Sequence, residues 1–596
     1  MHAGMIKLFR SVLFAAGTLL AAAGCSGTAG EPLTLNVVHI NDVHAHLDEE
    51  PLDLTLGGAT TRVSAGGFAR IVTGTEAARR SAPNLLLLHA GDALQGTLYY
   101  TLFDGAADAA MMDLVPWDAF VLGNHEFDDG DANLAHFLRR LKTPVLAANV
   151  AVTGNDPLAG LWQPYVVKYF GSESVGIIGI DIAGATETGS RPGKAVHFGN
   201  EAAAVQRYVD LLEARRINKI VLLSHFGYGN DLNLSQHVSG VDVIIGGHSH
   251  TLMGPFQRYG LSPAAPYPVR SVSPRGEPVC IAQAWAYAKV VGRLEVTFDA
   301  DGVVTACGGT PVLMLDNNFT RQGTDGAYAE VNASERAKIL GQIEADPSLT
   351  VVEPDPEAQR VLARYKAQVD AKERAVIGEA AELRHVRIPG RGYLGNSGAA
   401  LPLGSEVAPV VAKAFYERVP ESDLCILNAG GVRTNLGAGP VSIAEVYTML
   451  PFSNTLFSIV MKGSEIRQVL EDAVQSSLQS GSSGAFPYAY GIRYDVDMGA
   501  PAGRRVSDVE IMERRSGCWA PLGTSASYTV VTINYLAEGK NGYTTFQTVQ
   551  EARGNGTDTY LDYAMSFVDY VKALHTKGKS VEKLPADEAC IKHFRK

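Results

Sequence analysis

Short apolar runs recur through the first half of the chain, and five of them end in the same kind of residue. Leu33 to Ile40, Asn84 to Ala90, Ala119 to Leu122, Ile220 to Leu223 and Val241 to Ile245 have the length and hydrophobicity of buried strands. Directly after them stand Asn41-Asp42-Val43-His44, Gly91-Asp92, Gly123-Asn124-His125-Glu126-Phe127-Asp128, Ser224-His225 and Gly246-Gly247-His248-Ser249-His250. Val175 to Asp181 reads as a further central strand, and Arg293 to Phe298 alternates like a closing one. Between the strands, Gly67 to Arg80, Asp131 to Leu141 and Glu201 to Arg216 carry apolar residues at helical spacing, with Asp131 and Asn200 as N-caps. Strands alternating with helices predict a layered α/β domain.

The pattern then changes. Residues 317 to 357 are polar, with Pro347, Pro354 and Pro356, and read as a linker or insertion. Glu357 to Lys372 has helical periodicity and reads as a connecting helix, with a second domain from about Val376. Such a connection could accommodate a hinge. A chain of 596 residues is too long for one hydrophobic core, so two large domains fit its length.

The residues at the strand ends are chemically coherent. Open α/β sheets place their sites beyond the carboxyl ends of strands. One His in a turn is ordinary, whereas five strand ends carrying Asp, Asn or His in order are not a chance arrangement. Carboxylates, imidazoles and a neutral amide oxygen suit borderline divalent metals of the Zn, Mn, Co or Fe class. No Cys is among them, which excludes a thiolate structural zinc site. Asp92 is the natural bridge between two ions, and such pairs clamp an in-line phosphoryl displacement.

These motifs resemble the ligand set of the calcineurin-like metallophosphoesterases, and the fuller Gly123-to-Asp128 form is similar to the 5′-nucleotidase family within them. The resemblance implies an α/β protein of two domains. A four-layer metallophosphatase β-sandwich flanked by helices would occupy 31–315, the linker or insertion and connecting helix 316–375, and a C-terminal α/β nucleotide-recognition domain 376–596. It implies two divalent metal ions, one held by Asp42, His44, Asp92 and His250, the other by Asp92, Asn124, His225 and His248. His250 stands where the family often has Gln. His125 and Asp128 match the family's catalytic pair.

In the second half, Asn428-to-Arg433, Pro451-Phe452-Ser453-Asn454 and Asn534-to-Ala537 resemble the family's nucleotide-recognition domain. By that resemblance Asn428, Arg433 and Asn454 contact the substrate, and Phe452 and Tyr535 sandwich the base. Asn541 replaces a common ribose-binding Asp. A further phosphate-binding Arg would be Arg387 or Arg391. A narrower resemblance, through Asn396-to-Pro409 and Gly484-to-Tyr488, is to the bacterial NAD nucleotidases, which cleave the pyrophosphate of NAD and then the monoester. The implied activity is hydrolysis of nucleotide phosphate esters. The alternatives on the same site are a UDP-sugar or 2′,3′-cyclic-nucleotide hydrolase, and outside catalysis a surface nucleotide-binding protein.

Charge and leader complete the picture. The formal net charge of −12 argues against a nucleic acid as the main partner and leaves a small anionic substrate to be captured locally. Lys7 and Arg10 precede the apolar stretch Ser11 to Ala23, too short for a membrane span. Ala22-Ala23-Gly24-Cys25-Ser26 resembles a bacterial lipoprotein signal (residues 1–25), which implies export to the periplasm or outer membrane with a lipid on Cys25 as the one membrane attachment. An exported chain permits disulfides. Cys280 with Cys307 and Cys518 with Cys590 are the expected pairs, with Cys425 a buried thiol. Oligomeric state is not legible.

Overall fold

The strand Leu33–Ile40 is buried on both faces, which explains its near-continuous apolar sequence. Leu35 and Val37 enter a core between two sheets, while Val38 and Ile40 pack beneath helices. This strand runs antiparallel to Val290–Phe298 and parallel to Leu85–His89, and the sheet continues through Ala119–Val121 and Val145–Leu146. The computed structural model from which these elements are read describes residues 31–190, 192–323, 328–390, 401–450, 452, 454–479 and 483–595. The leader with Cys25, Arg391 and the stretch Asn396 to Ala400 lie outside the described residues.

A second sheet of six strands is centred on the parallel strands Glu173–Asp181, Ile220–His225 and Val243–Gly246. Leu86, Leu88 and Val121 of the first sheet meet Ile177, Val221 and Ile245 of the second. Each such fully buried aliphatic side chain contributes about 1.5–3 kcal/mol relative to exposure. Helices Phe68–Ser81 and Gly130–Leu138 cover the first sheet. Glu201–Ala214 covers the second through Val205, Val209 and Leu212. The result is the layered α/β domain that the alternation predicted, in the four-layer form that the resemblance implied. The carboxyl ends of the parallel strands from both sheets converge at one rim.

Several local expectations meet the structure directly. Asn200 caps its helix, its side chain accepting from the Ala203 amide at 2.9 Å. Asp131 does not cap. The helix starts at Gly130, and the Asp131 carboxylate instead accepts from the Gly193 amide at 2.8 Å, across 62 residues. Cys280 and Cys307 are joined, linking a strand of the second sheet to one of the first. Cys518 and Cys590 are not. They belong to opposite edges of the sheet ordered Trp519–Pro521, Val506–Met512, Ile492–Asp497, Ile591–Arg595, so two strands separate them, and Cys518 is exposed while Cys590 is buried. Cys425 is a buried free thiol.

The polar stretch after residue 317 is folded. Leu349–Val351 pairs with Val304–Leu315, Thr320–Gln322 pairs with Ala59–Gly66, and the helix Ala333–Glu344 is closed by a capping box of Asn332 and Glu335. The connecting helix spans Pro356–Glu373, capped by Asp355 and started by its proline. Beyond it, a five-stranded sheet runs Pro487–Tyr490, Leu424–Asn428, Ser527–Ile533, Thr455–Lys462, Gly556–Asp562. Val407–Arg418 and Tyr563–Thr576 pack on it through Val411, Phe415, Phe567 and Val571.

One buried carboxyl makes stability depend on pH. Asp108, in the helix Ala106–Met112, is 2 % exposed, and neither oxygen has a partner beyond its own amide. Burial, and then the Glu126 carboxylate, push it up to about 7. The folded state therefore keeps a proton that the unfolded chain releases near pH 4. This contribution is complete below about pH 4 and is lost as pH rises through about 7. Asp108→Asn is expected to raise the melting temperature at pH 8 and to leave it nearly unchanged at pH 4.5. Equal shifts at both pH values in thermal melts would contradict this assignment.

Candidate active site

The rim where the parallel strands end gathers every metal-site residue singled out from the sequence. Ligand atoms of Asp42, His44 and His250 lie within 4.8 Å of one another, as do those of Asp92, His225 and His248. Asn124 joins the second group, its Oδ1 being 2.9 Å from His248 Nδ1. Asp92 lies between the groups, with Oδ2 2.9 Å from His225 Nε2 and 3.7 Å from His44 Nε2. The strand ends must turn sharply to aim these side chains inward. Asp42, His44, Asp92, His248 and His250 all have left-handed φ, between 47° and 69°. Such strain costs about 1–3 kcal/mol per residue and persists only where the surroundings impose it. Glycines make the closeness feasible. A Cβ on Gly123 would stand 2.5 Å from Asp92 Oδ1, and one on Gly247 2.3 Å from the Ala90 carbonyl.

The arrangement fits cations. His44 Nε2 and His250 Nε2 approach to 2.9 Å, with Asp42 Oδ1 3.4 Å from the latter. His44 Nδ1 faces the Leu94 carbonyl and His225 Nδ1 the Ala90 carbonyl, which leaves each Nε2 pointing at the common centre. Asp92 Oδ2 and His225 Nε2 are buried and face each other, with no other hydrogen-bond partner among the described residues. Burial drives His44 well below its ordinary value and His248 down to about 3, so both present lone pairs. Burial opposes ionisation of Asp92, but the His225 and His125 imidazoles outweigh it and hold the carboxyl well below its usual range. Convergent lone pairs and a carboxylate in a dry site are what a divalent ion requires.

His125 stands beside this centre. Its Nδ1 is 2.6 Å from Asp128 Oδ2, and its Nε2 is buried without a partner. Burial would lower it, but Asp128 and then Asp92 prevail and raise it to about 9. Its ligand atom also lies within 4.8 Å of His44 and Asp92, so geometry alone leaves it close enough to coordinate.

Two residues of the site carry no sequence signal of their role. Glu126 accepts from the amides of Asp92, Ala93, Leu94 and Gly123 at 2.7–3.2 Å, fastening the Asp92 turn to the Asn124 turn. It was visible inside a motif, but nothing marked it as the fastener. Tyr560 comes from Gly556–Asp562, an edge strand of the five-stranded sheet of the second domain, also with left-handed φ. Its ring meets His125 edge-on at 4.1 Å between centroids, and its hydroxyl is 3.3 Å from His248 Nε2. The cavity left over the metal-site residues is about 30 Å³.

Next to it a cavity of about 260 Å³ is lined by Asn428, Arg433, Phe452, Asn454, Tyr535 and Asn541. Arg387 also lines it, while Arg391 lies outside the described residues. Phe452 and Tyr535 are 44 % and 39 % exposed, unusual for large aromatics and suited to stacking. The Arg433 guanidinium is 5.5 Å from the centre of the Phe452 ring. Asn454 borders both this cavity and the one over the metal-site residues.

The sequence matches the calcineurin-like phosphoesterase family over residues 35–252 and the 5′-nucleotidase C-terminal domain family over 397–548. It is 37% identical to the NAD 5′-nucleotidase of Haemophilus influenzae, over 93% of each chain. It is 31% identical to the human 5′-nucleotidase, over 97% of this chain and 96% of that one. The structure of the Haemophilus influenzae NAD nucleotidase superposes with a TM-score of 0.77, at 36% identity, covering 95% of this chain and 99% of that one.

Glu126→Gln offers one acceptor where the carboxylate has two, and turns an amide donor towards backbone N–H groups. It is expected to weaken metal binding about 10–100-fold, the usual cost of losing such a support. Competition against a chelator measures this directly. Unchanged affinity would mean that the two turns hold their geometry without the carboxylate.

Proposed function

The chain belongs to the 5′-nucleotidase family of calcineurin-like phosphoesterases and is a metal-dependent hydrolase of nucleotide phosphoesters; from that premise we propose that it works with two divalent ions, acts outside the cytoplasm, and cleaves the pyrophosphate of NAD before dephosphorylating the resulting mononucleotide. The observation that carries this reading is adjacency. A base-sized cavity with two exposed aromatics shares Asn454 with the cavity over convergent, partly orphaned metal-ligating atoms. Export with a lipid on Cys25 rests on the leader sequence, Lys7 and Arg10 ahead of Ser11 to Ala23.

Asp42, His44, Asp92 and His250 would hold one ion, and Asp92, Asn124, His225 and His248 would hold the other. Bound there, the ions supply Lewis acidity to the phosphoryl oxygens and a nucleophilic water at neutral pH. The protein positions the rest. Phe452 and Tyr535 grip the base, at about 1–3 kcal/mol per stacked base, and tolerate whatever lies beyond the phosphate. Asn428, Arg433 and Asn454 contact phosphate and sugar from the same cavity wall, and Asn541 faces the ribose. Arg387 supplies a second guanidinium. Asp128 and then Asp92 raise His125 to about 9, so at neutral pH it is an imidazolium that donates Nδ1–H to Asp128 and keeps a second proton on Nε2, which offsets charge that develops on the phosphoryl group.

Chromatography of NAD digests tests the substrate. AMP and nicotinamide mononucleotide are expected first, then their nucleosides. Intact NAD under conditions that fully dephosphorylate AMP would reduce the protein to a monoesterase. For the catalytic pair, His125→Gln is expected to lower kcat about 10²–10⁴-fold with metal content unchanged. Loss of metal in step with rate would make His125 a ligand instead. Phe452→Ala with Tyr535→Ala is expected to raise KM for AMP and NAD together and to spare p-nitrophenyl phosphate.

A further inference from the structure

A third cavity, of about 340 Å³, lies between the domains beside the other two. It shares His46, Gly96 and Asp562 with the cavity over the metal-site residues, and Phe452 with the base cavity. Its volume is in the range of small-molecule pockets. Whatever lies on the far side of the reacting phosphate from the stacked base would pass into it.

The charges in its wall do not balance. Asp48 accepts from Lys366 and from the Tyr99 hydroxyl, each at 2.8 Å. Glu50 is paired with His46 and, at 2.6 Å, with Lys289. Asp562 accepts from the Met565 amide at 2.7 Å as a helix N-cap. The Glu373 carboxyl, at the end of the connecting helix, has no hydrogen bond or ion pair among the described residues; burial, then Asp370, push it up against the weaker pull of Lys366 and Arg374. Tyr447 also lines the cavity. The cavity thus holds a carboxylate without a direct partner among the described residues and is lined by Tyr99, Tyr447 and Phe452, a setting that favours a flat cation.

We propose that this cavity is a subsite for the cationic half of a pyridine dinucleotide, with the N-ribosylated pyridinium ring among Tyr99, Tyr447 and Phe452 and its charge facing Glu373. The proposal rests on the NAD reading above and adds a preference that reading does not contain. A site that merely tolerates the far half would take oxidised and reduced dinucleotides alike. A site that recognises the cation discriminates, because the dihydropyridine ring of NADH is neutral.

The test compares kcat/KM for NAD, NADH and AMP in the metal-loaded protein and in Glu373→Gln, with Tyr447→Phe as a second variant. The unmodified protein is expected to prefer NAD over NADH by about tenfold, about 1.4 kcal/mol. Glu373→Gln is expected to bring that ratio close to one through the KM for NAD, with AMP unchanged. Tyr447→Phe, which keeps the ring, is expected to retain most of the preference. Equal kcat/KM for NAD and NADH in the unmodified protein, or a preference that survives Glu373→Gln, overturns the subsite and leaves NAD as a substrate. No cleavage of either dinucleotide alongside full AMP hydrolysis overturns the NAD reading and the subsite with it.

Discussion

Bringing five imidazoles and carboxylates to one dry point is the constraint on which the first domain is built. Two Nε2 atoms 2.9 Å apart, and a buried carboxylate oxygen facing an imidazole at 2.9 Å, crowd lone pairs and negative charge into a dry site. Burying unpaired polar and charged groups costs several kcal/mol, and a cation at the centre reverses the sign of that cost. Much of the surrounding structure keeps the groups from escaping. The inner strands fix the origins of the turns, left-handed backbone aims the side chains, and glycines remove the Cβ atoms that would block them. Glu126 then fixes two of the turns relative to each other through four amides.

The same constraint explains what could be read from the sequence. Chemistry dictates residue type at the metal site, and fold dictates that it follow a strand, so Asp42, Asp92, His225 and His248 announce themselves together. Sandwich strands such as Leu33–Ile40 are legible because burial leaves them few polar positions, here Thr34, Asn36 and His39. Elements held by distant partners are not. Asp131 looks like a cap, yet its partner is Gly193, which no local pattern reveals. Cys518 and Cys590 suit each other in sequence and sit on opposite edges of one sheet. The polar stretch after residue 317 resembles a linker because its strands are short and partly exposed, and their pairing is with Ala59–Gly66 and Val304–Leu315 far upstream. Tyr560 is beyond sequence reasoning altogether, since its role is defined by which His residues face it across a domain boundary.

Division of labour between the domains follows from what each can supply. The sandwich offers rigid strand ends, which suit a metal site that tolerates little displacement. The second domain offers a turn after Leu424–Asn428 and exposed aromatics, which suit a flat base whose outer parts vary. The connecting helix joins them while packing Ala358, Leu362 and Val369 into the shared core, so the two sites meet at a common wall rather than across an open gap.

That common wall is nearly shut. The space over the metal-site residues is about 30 Å³, room for a water or two and too little for a phosphoryl group, because Tyr560 fills it from above. Turnover therefore contains a step that owes nothing to phosphorus chemistry. For a phosphate ester to reach the metal-site residues from this arrangement, the strand bearing Tyr560 would withdraw, and again before a product leaves. An opening of that kind parts two packed surfaces, a diffusive process answerable to the viscosity of the surrounding medium.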